Sequence, residues 1–254
     1  MPDYDPVAGT LLTSDTLSSA DLILEAQDPS VIKWRDGNTA LELQREHVTL
    51  NQLDLPGDGA HSCWLTAAFK SALDAKPLSN VEKPLAVKAW KDAWDYSVKN
   101  GIHQMGVGGT MRAGVELSLQ FVNAAFPSWN LKAYRFDFPR FDQDTKAQIS
   151  FYRAVNHGWM VTFGGYVNKQ YVGDLLDDGI VQGDDKPAGA GTYGHLRNLF
   201  CSSPMVYVAD DNYPKRQGQL SYGMPWRNRY RLDDLEKKVQ SGQMFRSGYV
   251  IMPS

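Results

Sequence analysis

The chain is organised around Gly57-Asp58-Gly59-Ala60-His61-Ser62-Cys63-Trp64-Leu65-Thr66-Ala67-Ala68-Phe69, a glycine-rich turn that runs straight into an apolar helical segment with a cysteine at its first position. The start of a helix leaves its first backbone N–H groups without intrahelical partners and carries the positive end of the helix dipole. A sulfur placed there is expected to favour thiolate, with a lowered pKa, and to act as a nucleophile near neutral pH. Trp64, Ala67, Ala68 and Leu73 follow at helical spacing, so the segment is expected to bury the face behind the sulfur. The alternative for Cys63 is a small buried hydrophobe, the usual state of a free cysteine.

Working outward, 254 residues suffice for one large domain or for two lobes that share a cleft. A hydrophobic content of 43%, a charged content of 22% and a net charge of −3 describe an ordinary globular protein, with no basic excess pointing to nucleic acid or an anionic membrane. No apolar run approaches the roughly 20 residues that span a bilayer, and residues 1–32 lack the basic region and apolar core of a secretory signal. With only Cys63 and Cys201 there is no disulfide framework, so the cytoplasm or another reducing compartment is the simplest expectation. Delivery to another cell or assembly without a cleaved signal stays open.

Residues 1–32 carry Asp3, Asp5, Asp15, Asp21, Glu25 and Asp28 and no Lys or Arg, which leaves the remainder of the chain net positive. Opposite signs suggest that this acidic arm docks on the body of the protein or recruits a partner. Thr16 to Leu24 reads as a short capped helix with an apolar face for that contact.

Beyond the nucleophile segment, Pro77 and Pro84 interrupt the pattern, and Lys83 to Lys99 resumes it with Val87, Trp90, Ala93, Trp94 and Val98. The two tryptophans are expected in the core. Gly106-Val107-Gly108-Gly109-Thr110 is a tight loop entering a helix over Met111 to Phe126, and it lacks the Gly-Lys-Ser/Thr ending of a phosphate loop. His103 reads as an isolated loop histidine. The second half changes character: a helical turn over Gln148 to Val155, then short apolar runs at Trp159 to Phe163, Tyr166 to Val172, Met205 to Val208 and Gly248 to Met252, alternating with glycine turns and spaced as an antiparallel sheet or half-barrel.

Ser62-Cys63-Trp64 with small apolar residues behind it resembles the nucleophile segment of papain-like cysteine peptidases, and Cys-Trp-Leu-x-Ala-Ala is similar to its calpain version. The order of the later elements, with Gly194-His195, a strand and an Asp-Asn pair, resembles the C-terminal lobe of the same superfamily. The resemblance implies a papain-like α+β fold divided into the acidic arm 1–32, a helical lobe 33–147 holding the nucleophile, and an antiparallel β lobe 148–254 holding the His and Asp, with the site between the lobes.

It also implies roles. Cys63 is the nucleophile. His195 follows it within the window of roughly 130–150 residues for this architecture and is the imidazole that pairs with the thiolate and protonates the leaving amine. Asp211, at the end of the Val206 to Ala209 run, is the residue that orients His195, with Asp210 and Asn212 as rivals because a one-residue shift reverses which side chain faces inward. Val48-Thr49-Leu50-Asn51-Gln52 is similar to the family's entry to the cysteine. There Gln52 is the donor to the oxyanion, with Asn51 as substitute. The gap from Gln52 to Cys63 is longer than the family's, so Gln52 serves only if residues 53–62 fold back.

Arg197-Asn198 is a second departure, because the family carries small apolar residues there. His61 is too close in sequence to Cys63 to act as its base, His157 reads as a cap, and Cys201 as core. The acidic run from Asp174 to Asp185 lacks calcium-loop spacing. No cofactor or metal is expected.

The expected function is hydrolysis of a peptide or isopeptide bond in a protein or peptide substrate, through an acyl-thioester. Transglutaminase-like acyl transfer, cell-wall amide cleavage by the same triad, and an inactive papain-like fold used for binding are the alternatives.

Overall fold

The computed structural model describes residues 50–76, 78–137, 161–168, 192–203, 206–210, 227–231 and 247–253. Helix α1, Cys63–Asp74, is rich in Ala and Leu and therefore strong in helix propensity, and every residue from Trp64 to Asp74 is buried. Such a helix needs neighbours on all sides. Helix α2, Lys83–Lys99, opens with Pro84 in its first turn, where a missing N–H costs nothing, and ends at Asn100 with Gly101 left-handed beyond it. Helix α3, Met111–Ala125, is capped by Thr110, whose hydroxyl accepts from the Ala113 N–H at 3.1 Å. The three helices expected from periodicity are present, and Trp90 and Trp94 lie fully in the core.

Helix α3 leads through a short 3-10 turn, Pro127–Trp129, and a left-handed Asn130 into strand β1, Leu131–Asp137. Asn123 fastens that junction by accepting from the Leu131 N–H at 2.7 Å and donating to its carbonyl at 3.0 Å. The remaining strands are β2 (Val161–Asn168), β3 (Thr192–Ser203), β4 (Val206–Asp210), β5 (Arg227–Arg231) and β6 (Ser247–Pro253). They form one antiparallel sheet in the order β1-β6-β2-β3-β4-β5. The described part of the chain is thus α+β.

Two details differ from expectation. Strand β2 runs unbroken through Gly164-Gly165, where the glycine pair reads as a turn. These glycines instead stand opposite Leu196 and His195 in the β2–β3 ladder, leaving the cross-strand neighbour of His195 without a side chain. Strand β1, from the stretch assigned to the helical half, joins the sheet by pairing with the C-terminal β6.

Helix α1 packs on α3 and against β3, and one apolar core unites both halves, with Leu196, Tyr249 and Ile251 of the sheet joining Trp64, Leu65, Phe69 and Val115 of the helices. Each large side chain buried this way contributes roughly 1.5–3 kcal/mol. Within this apolar contact lies a polar seam. Asn198 on β3 donates through Nδ2 to the Ala67 carbonyl at 2.7 Å and to the Ser71 hydroxyl at 2.8 Å, and Ser71 lies 2.7 Å from the Thr162 hydroxyl on β2. Thr162 and Asn198 are direct cross-strand partners. The Asn198 departure from an apolar strand is therefore a bracket holding α1 to the sheet. Arg197 beside it is fully buried.

Among the described residues no helix is long and apolar enough to cross a membrane.

Candidate active site

Cys63 is the first residue of α1 and is half-buried. The first intrahelical bonds run from Leu65 and Thr66 back to the Ser62 carbonyl, so the N–H groups of Cys63 and Trp64 remain available. Both favour the charged form of the sulfur, as does a third N–H from across the core, that of Leu196, the residue after His195 on β3. The fold thus brings Cys63 to the strand that carries His195.

Burial nevertheless pushes the Cys63 thiol above its ordinary value, and the N–H groups of Leu196, Trp64 and Cys63 itself recover only part of that rise. The expectation of a lowered pKa from the helix start alone is therefore corrected. Desolvation of a sulfur set against the core outweighs three backbone dipoles, and an added positive charge would be needed to reverse the sign.

His195 is fully buried, as is Leu196, and both lie in the part of β3 that pairs with β2. Asp211 lies outside the described residues, as do its rival Asn212, the acidic arm 1–32, the helical turn at 148–155, His157 and the acidic run 174–185. Asp210 ends β4 and pairs with Asn198. Cys201 sits further along β3, opposite Tyr207.

Gln52 is fully buried in a 3-10 turn, Gln52–Asp54, capped by the Asn51 side chain. The segment 53–62 does fold back: Gln52 Nε2 donates to the Ala60 carbonyl, Trp94 Nε1 reaches the Pro56 carbonyl at 3.2 Å, and a second 3-10 turn, Gly59–His61, delivers the chain to Cys63. One Gln52 amide hydrogen is thus used within the loop that presents the cysteine. Its Oε1 has no hydrogen-bond partner among the described residues.

The glycine loop before α3 is explained by Trp64. A Cβ on Gly109 would lie 2.6 Å from the Trp64 indole, and one on Gly114 would lie 2.1 Å from the Trp64 carbonyl oxygen. The glycines let α3 close directly onto the residue that follows the cysteine.

His103 proves not to be an isolated loop histidine. Its buried ring lies between Trp94, centroid 4.5 Å away, and Trp64, at 6.4 Å and nearly parallel. Its Nε2 is 2.9 Å from Asp58 Oδ2, which also accepts from the Gly106 N–H at 2.7 Å, while Asp58 Oδ1 is 2.6 Å from His61 Nδ1. Burial raises the Asp58 carboxyl, but the Gly106 N–H and the two imidazoles outweigh it and hold the group below the ordinary carboxylate value. Neither His103 Nδ1 nor Trp64 Nε1 has a hydrogen-bond partner among the described residues. The cluster was hidden in the sequence because Asp58 and His103 are distant along the chain, and only the glycines around them signal a close contact. Among the described residues no three His, Cys, Asp or Glu side chains are grouped so as to hold a metal ion.

No protein-family model matches the chain, and no curated protein matches it in sequence.

Proposed function

We propose that the protein is a papain-like cysteine hydrolase acting on peptide or isopeptide bonds, with Cys63 as nucleophile, His195 as its acid–base partner and Asp211 as the group that orients His195. The observation that carries this reading is that α1, which opens with Cys63, packs against β3, the strand that holds His195, so that the Leu196 N–H next to His195 is among the groups that favour the charged sulfur. In the proposed reaction the thiol proton passes to the His195 imidazole as sulfur attacks the carbonyl carbon. The oxyanion forms against the Cys63 backbone N–H and the second amide hydrogen of Gln52. Collapse expels the amine, which takes the proton from the imidazolium, and leaves an acyl-thioester. Water, deprotonated by His195, then hydrolyses the thioester and restores the thiol.

The upward push on the Cys63 thiol favours a second reading, a papain-like fold used for binding. Peptide-mass mapping after treatment with an epoxide thiol probe separates the two. Selective modification of Cys63 over Cys201, lost in His195→Ala, supports the hydrolase. Equal slow labelling of both cysteines supports the binding fold.

A further inference from the structure

The turn at residues 104–108 is held at several points. Gln104 and Gly108 exchange backbone hydrogen bonds, both 2.8 Å, Val107 N–H reaches the Gln104 carbonyl at 3.0 Å, and the tip amide of Gly106 is fastened to Asp58. Its base rests on the residues flanking the cysteine: a Cβ on Gly108 would lie 2.8 Å from the His61 carbonyl oxygen and 3.4 Å from the Trp64 ring. This turn nonetheless presents two large apolar side chains to solvent, Met105 at 71% and Val107 at 76% exposure. The two side chains thus belong to a turn whose base packs against His61 and Trp64, on either side of Cys63 in the sequence.

We propose that Asp58 is a positioning residue that latches the 104–108 turn beside Cys63, so that Met105 and Val107 form a fixed wall for an apolar side chain of the acyl portion of the substrate. The proposal rests on the hydrolase reading above. Asp58 touches no reacting atom; it acts through the turn. The groups facing its carboxylate are His61 from the turn ahead of the cysteine, and His103 and the Gly106 N–H from the segment after α2. All three contacts are donors to a carboxylate, which is what a latch between two loop segments requires. Asparagine at this position keeps one oxygen for His103 and Gly106 and turns its amide toward His61 Nδ1, which then accepts. Alanine keeps none of these contacts.

The test compares two reagents on the full-length chain: a peptidyl epoxide carrying leucine, which must dock before reacting, and iodoacetamide, which need not. In Asp58→Ala the peptidyl reagent should label Cys63 about tenfold more slowly, the scale expected when a binding wall is displaced, while the iodoacetamide rate stays within about twofold. Asp58→Asn should recover most of the peptidyl rate. Hydrogen exchange at the Gly106 amide should accelerate in Asp58→Ala with the amides of α1 and α3 unchanged. Should the alanine variant not fold, Met105→Ser with Val107→Ser, both at exposed positions, should slow the peptidyl reagent alone. Unchanged peptidyl labelling in these variants, or equal slowing of both reagents, overturns the latch. Wild-type Cys63 that reacts no faster with the peptidyl reagent than with iodoacetamide instead removes the hydrolase reading, and the wall with it.

Discussion

Gly114 on α3 approaches Trp64 on α1 so closely that a Cβ on the glycine would stand 2.1 Å from the tryptophan carbonyl oxygen. Helix propensity alone would make Gly114→Ala stabilising by about 1 kcal/mol. Here the contact decides the sign, since backbone meets backbone and no side chain can swing aside. Gly114→Ala should destabilise the protein by about 1–3 kcal/mol, read as a lower midpoint in urea unfolding. A higher midpoint would mean that α3 sits farther from Trp64.

The polar seam between α1 and the sheet gives a second prediction. Asn198→Ala removes both donors to Ala67 and Ser71 and leaves a gap in the core, and should cost about 2–4 kcal/mol. Ser71→Ala should cost less, about 1 kcal/mol, because Asn198 keeps the Ala67 carbonyl. A double-mutant cycle should show coupling of about 0.5 kcal/mol or more, whereas strict additivity would place the two residues in separate networks.

Asp58 sets an acid dependence. Its carboxyl lies below its ordinary value in the folded protein, so the folded state binds the proton more weakly than the unfolded chain. The stability that this provides is complete above the unfolded carboxylate value of about 3.9 and is lost as pH falls through the lower folded value. The difference in urea midpoint between wild type and Asp58→Asn should therefore be greatest at neutral pH and shrink below about pH 4. A difference that does not change with pH would show that Asp58 is uncharged or unpaired.

Gln52 gives a prediction that separates chemistry from folding. If its second amide hydrogen meets the oxyanion, Gln52→Ala should lower kcat by about 10²-fold, the cost of one such donor, with the Cys63 iodoacetamide rate nearly unchanged. A change confined to thermal stability would restrict Gln52 to bracing Ala60.

How far this arrangement could be read from residues alone depends on how local the physics is. Helices α1 to α3 were legible because their apolar positions recur every three to four residues and Thr110 and Pro84 mark their starts. Strand β5, Arg-Asn-Arg-Tyr-Arg, was not, because an edge strand of mostly polar residues has no alternating apolar signal. Strand β1 was missed because it takes its place by pairing with β6 at the far end of the chain. Glycines 164 and 165 read as a turn because glycine permits one, and only the ladder opposite His195 shows the other use. In the candidate site, the position of Cys63 at a helix start was readable, whereas its raised pKa and the Asp58–His103 contact depend on burial and long-range packing.

The central proposal is that the His195 imidazole serves the Cys63 sulfur, and the pH dependence of Cys63 alkylation in wild type and His195→Ala tests it most directly. In the variant no imidazole serves the thiol, and burial still outweighs the three backbone N–H groups, so the midpoint should lie above the ordinary value of about 8.5. The wild type should react at least about tenfold faster at pH 7, with a rate that follows an ionisation in the imidazole range near pH 6.5. Superimposable profiles for the two proteins would contradict it.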